Sequence, residues 1–151
     1  MLAGSPAISE VQSFEQAGIR DKPYGHVITL RTGAKLAVQW VRTAPNGGED
    51  QSQPETPVTG APAVAVEVPD LPATGRIPLT RVEAHLAALI LGAGNPEIRA
   101  VECISQRPDG KKSGINVSMH STAVVYGIPL YTASAGQALS MEGAYQQRKD
   151  V

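Results

Sequence analysis

The chain has 151 residues and 15.8 kDa, the length of one domain, and a single core of that size buries about two-thirds of the surface the unfolded chain exposes. Hydrophobic residues make up 42% and charged residues 18%, which excludes a disordered polyelectrolyte tail and a coiled coil. Thirteen Lys and Arg against 14 Asp and Glu give a net charge of -1, so only a local basic patch, not the overall field, could attract nucleic acid or an anionic membrane.

One cysteine, Cys103, excludes an internal disulfide and any multi-cysteine zinc or iron–sulfur site within one chain. Residues 1–10 lack a basic and then apolar leader, and no stretch holds 18 uninterrupted apolar residues. The expectation is a soluble protein without a secretory signal, cytoplasmic or part of a soluble particle.

In chain order, residues 1–22 read as an N-terminal arm with a short helix over 9–16, capped by Ser9 and showing Ile8, Val11 and Phe14 on one side. HVITLR and KLAVQWVR then alternate with period two around Thr32-Gly33-Ala34, predicting a hairpin with Leu36, Val38 and Trp40 on its better-buried face. Residues 44–76 hold six prolines and almost no large side chains, so they read as an extended Pro/Gly-rich insertion. Within it, 63–68 alternates with Val64, Val66 and Val68 on one face, at best a short edge strand between Pro62 and Pro69.

A core helix over 80–91 follows, with Thr80 and Glu83 as a capping box, Val82, Leu86, Leu89 and Ile90 as its apolar stripe, and Gly92 and Gly94 as its stop. Asn95-Pro96 turns the chain into a β-rich run ending at Arg107-Pro108-Asp109-Gly110, and a strand over 113–119 reverses at His120-Ser121-Thr122 into AVVYGIPLY. Gly127 and Pro129 suggest a bulge or an edge there. Residues 134–151 are small and polar and end in QQRKDV, a charged tail.

An offset of 89 superposes Gly25 on Gly114, Ile28 on Val117, Leu30 on Met119, Ala34 on Ala123 and Thr43 on Thr132, which raises an internal duplication of one hairpin. The expected fold is α+β: one domain over 23–133, an antiparallel sheet of four to six strands built from two similar hairpins, one covering helix and the long central connection. Its core should include Ile28, Leu30, Leu36, Val38, Trp40, Val82, Leu86, Leu89, Ile90, Val101, Ile115, Val117 and Val125.

Chemistry-bearing residues are sparse. His26, His85 and His120 form no H-x-x-x-H, H-x-H or H-E-x-x-H spacing, so no metal site is read locally and none of the residues is assigned to a cofactor. His85, beside the helix stripe, reads as a partly buried hydrogen-bonded side chain, and His26 and His120 as solvent-facing. Cys103 reads as a buried structural thiol, since no cationic cluster or helix N-terminus abuts it to favour the thiolate. Gly92-Ala93-Gly94 follows a helix rather than opening one, the wrong polarity for a phosphate loop, and no G-x-S-x-G motif occurs.

The leading expectation is a non-enzymatic structural or protein-interaction module, a subunit of a homo-oligomer or a larger viral or bacterial assembly, partnered by its own copies or another protein chain. The first alternative is a nucleic-acid-binding or regulatory accessory protein using a basic hairpin tip, Arg107, Lys111 and Lys112, with Arg31 and Lys35. Six aromatic residues leave few stacking platforms for that role. The second alternative is a small enzyme whose site, from His120, His26 and Glu102, forms only in the tertiary structure.

Overall fold

The computed structural model describes residues 2–142 and 147–151. Among them are one α-helix and six strands: β1 (Ile8–Ser13), β2 (Gly25–Leu30), β3 (Lys35–Thr43), α1 (Leu79–Gly92), β4 (Ile98–Cys103), β5 (Ile115–Met119) and β6 (Val124–Ala133). The strands form one antiparallel sheet in the order β1-β2-β3-β6-β5-β4, so the fold is α+β. Each half of the chain supplies a three-stranded meander, and the two meet along β3 and β6. No helix among the described residues is long and apolar enough to cross a membrane.

Period-two alternation divides the side chains between two faces. On one face, Ile28, Leu30, Leu36, Val38, Ile115 and Val117 form the main core with Val82, Leu86 and Ile90 of α1. Trp40, Leu89, Val101 and Val125 pack half-buried against it. On the other, Phe14, Val27 and Ala37 are buried under Ala17, Ile19, Tyr131, Leu139 and Met141.

Residues 9–16, expected as a short helix, instead belong mostly to edge strand β1, paired with β2 from Ile8↔Leu30 to Ser13↔His26. Six ladder residues beside a strand outweigh one isolated helical turn. A tight turn then closes the strand: the Ser13 N–H donates to Gln16 Oε1 at 2.8 Å and the Gln16 N–H to Ser13 Oγ at 3.1 Å. Phe14, one residue beyond Ser13, falls by alternation on the second face.

The run AVVYGIPLY is not an edge. It lies within β6, between β3 and β5, and Pro129 falls at the register shift opposite Ala37 and Val38. The bulge absorbs the missing N–H of proline in a central strand. Residues 63–68 are not a strand either; the Ala63 N–H reaches Ile98 O at 3.3 Å, and no ladder continues from it.

The helix begins one residue before the expected start. Pro78 occupies its N-cap with no side-chain cap, and the Leu79 N–H donates to Lys149 O at 2.7 Å. Thr80 is therefore not a cap, and Glu83 is turned inward. The charged chain end returns to the body: Ile77 and Val151 exchange backbone hydrogen bonds at 2.7 and 2.9 Å, and the Val151 side chain is buried. Residues 44–76 contain no helix or strand, yet Leu71 from this segment enters the core.

Candidate functional site

An opening lined mainly by apolar side chains lies on the face that carries α1. Its sheet side is formed by alternate residues of neighbouring strands, Val11 and Ser13 of β1, His26 of β2, Trp40 of β3, Val125 of β6 and Val117 of β5, and Ile90 of α1 closes one side. The groove holds about 580 Å³, within the roughly 300–1,000 Å³ range of small-molecule sites. Because side chains two apart on a strand share a face, β1 in place of the expected helix puts Val11 and Ser13 here.

The polar groups of this groove are specifically arranged. The Trp40 indole N–H donates to His26 Nδ1 at 2.9 Å. An indole nitrogen only donates, so Nδ1 accepts and the neutral imidazole carries its proton on Nε2. His26 is half-buried and faces solvent across this groove, where it has a donor beside an apolar floor. Ser13 and Gln16, locked to each other at the end of β1, lie on the same wall.

The other histidines hold connections in place. His85 is buried; its Nδ1 donates to Pro69 O at 2.6 Å, so Nε2 accepts from the Ser5 hydroxyl at 2.9 Å. This side chain ties the N-terminal residues, the central segment and α1 together. His120 Nε2 donates to Ala61 O at 2.9 Å, and its half-buried ring packs where a Cβ on Gly60 would sit.

His26, His120 and Glu102 are not brought together. His26 is on β2 and Glu102 on β4, four strand steps apart, about 19 Å at the usual spacing. Glu102 pairs instead with Arg107 at 2.6 Å, and this hydrogen bond holds its carboxyl below the usual carboxylate range. Burial, with Glu83 and Glu102 nearby, pushes the Cys103 thiol up to about 11, which keeps it protonated and poorly nucleophilic at neutral pH.

The basic residues separate into distinct places. Arg107 is engaged by Glu102, while Arg31 and Lys35 flank the β2–β3 turn. Lys111 and Lys112 line a recess at the start of α1 together with Arg148 and Lys149, which sequence reasoning had left in the tail. Compared with family models, with curated proteins and with solved structures, the chain matches none of them.

Proposed function

We propose that this protein is a non-enzymatic interaction module, a subunit that associates with further copies of itself or builds a larger assembly. The observation that carries the reading is a row of valines facing water: Val64, Val66 and Val68 are 84%, 53% and 36% exposed along one extended segment. Burying a valine is worth about 1.5 kcal/mol or more, so three alternate ones left in water offer a gain that only a partner covering them would realise. The sheet also ends at β1, whose outer edge pairs with no strand among the described residues. An extended segment from a second copy laid along β1 would satisfy both, the main chain supplying hydrogen bonds and alternate valines the contact.

The test is Val64→Asp combined with Val66→Asp. Both side chains are exposed in the single chain, so the variant keeps its melting temperature, and the association is expected to be lost. Unchanged association would remove this mechanism.

Correspondence between the two meanders supports the same reading. At an offset of 89, the pairs Ile28↔Leu36 and Thr29↔Lys35 correspond to Val117↔Val125 and Ser118↔Val124. The outer strands follow at an offset of 90, Val11↔Ile28 matching Val101↔Val117, and the register shifts fall at Ile8/Glu10 and Ile98/Ala100. Turn contacts correspond too: the Arg31 N–H donates to Ala7 O at 2.8 Å and the His120 N–H to Glu97 O at 2.9 Å. We read two copies of one meander joined at β3 and β6. On this reading strand-edge pairing of β3 with β6 joins two units, the kind of contact that association through β1 would extend.

A second reading has its own observation. Lys111, Lys112, Arg148 and Lys149 surround one recess, a local positive field on a chain of net charge -1. Nucleic-acid binding there would weaken steeply between 50 and 200 mM salt, by ~10³-fold for a six-phosphate contact. Binding of a duplex that is absent at low salt, or indifferent to salt, removes this reading.

A further inference from the structure

We infer that the groove beside Trp40 is a binding site for a small amphipathic molecule, an apolar body ending in one oxygen acceptor such as a carboxylate. This goes beyond association between copies and stands on different residues. The duplication explains why the opening exists. Leu36, Ile115 and Pro129 line the seat on which the N-terminal half of α1 lies, with Leu79, Val82 and Leu86 above them. At the offset of 89, their counterparts are Val125, His26 and Trp40, and all three line the groove. The sheet therefore carries two related apolar seats on one face, and α1 occupies one of them.

The chemistry of the second seat departs from that of the first at two linked places, His26 in place of Ile115 and Trp40 in place of Pro129. Where Ile115 gives α1 an apolar contact, the groove has His26, whose ring is fixed by the Trp40 indole at 2.9 Å so that Nε2 is its donor. A hydrogen bond from a fixed donor to a carboxylate is about twice as strong as a neutral one, and Val11, Val117 and Val125 line the groove around it. The groove volume of about 580 Å³ accommodates a medium-length chain or a pair of rings. The ligand class follows: the apolar walls take the body and His26 takes the acidic end.

Trp40 is the only tryptophan, so its emission reports this groove directly. Decanoate and decanol, each below its aggregation limit, are titrated into the full chain while emission and solution mass are followed. Saturable binding of decanoate is expected, at least tenfold tighter than decanol, although partition into oil favours the alcohol. His26→Leu should abolish that preference, and Val125→Phe should block both ligands by filling the floor. The proposal is overturned if the unmodified chain shows no saturable change with decanoate, or if decanol binds as tightly. It is equally overturned if the emission changes only together with a fall in mass, which would mark the groove as an interface between copies. A monomer that binds decanoate leaves this site standing while removing self-association.

Discussion

Glu83 attaches α1 to the sheet. Its carboxylate accepts the N–H groups of Ser105 at 3.0 Å and Gly114 at 2.7 Å and the Ser105 hydroxyl, all at the connection from β4 to β5. Glu83→Ala strands two backbone donors in a site only 4% exposed; at about 1–3 kcal/mol for each unmet group, unfolding in urea should show a loss of about 3 kcal/mol. Glu83→Gln keeps one acceptor oxygen and should lose less. Equal stability of the alanine variant and the parent would contradict this attachment. Cys103 gives a second residue-level expectation. With its thiol raised from 9.0 to about 11 by burial, alkylation of the folded chain at pH 8 should run about a hundredfold slower than that of the unfolded chain. As pH rises past 9 the unfolded thiol ionises and the folded one does not, so stability should fall between about pH 9 and 11. Alkylation at the unfolded rate would show an exposed, unshifted thiol. The T-x-x-E spacing that suggested a capping box drew attention to Glu83, but the partners it found are 22 and 31 positions away, which no local pattern records.

At the scale of elements, signals within a hairpin or a helix were legible and signals between elements were not. The first hairpin, the helix and the strand before His120 could be read because alternation and helical spacing are local. Residues 9–16 misled because Ile8, Val11 and Phe14 fit a helical stripe equally well, and only the edge of β2 decides for a strand. The groove was half legible: Trp40 was read as a core anchor, while its pairing with His26 depends on β2 and β3 lying side by side. The proposed duplication makes its own stability prediction at the two hairpin turns. Gly33 has φ +93° and Thr122, its counterpart, φ +73°, the left-handed region that a β-branched residue enters at a cost of about 1–2 kcal/mol. Gly33→Thr should therefore lower stability by about 1 kcal/mol in thermal unfolding. Thr122→Gly should raise it by less, because the Thr122 hydroxyl also accepts the Asn46 N–H at 2.8 Å. A stabilising Gly33→Thr would argue against equivalent turns.

For the whole molecule, the central segment matters as much as the sheet. Residues 44–76 were read as an insertion too poor in large side chains to build a core, yet Leu71 is buried and Pro69 holds His85, so part of the segment is bound to the body. What it leaves in water is the valine row, and that row is the basis for the proposed association. The most direct measurement is solution mass, by light scattering coupled to size exclusion at two protein and two salt concentrations. A stable multiple of 15.8 kDa, falling to the single-chain mass in the Val64→Asp, Val66→Asp variant, is the expected result. A single-chain mass for the unmodified protein under every condition would contradict self-association.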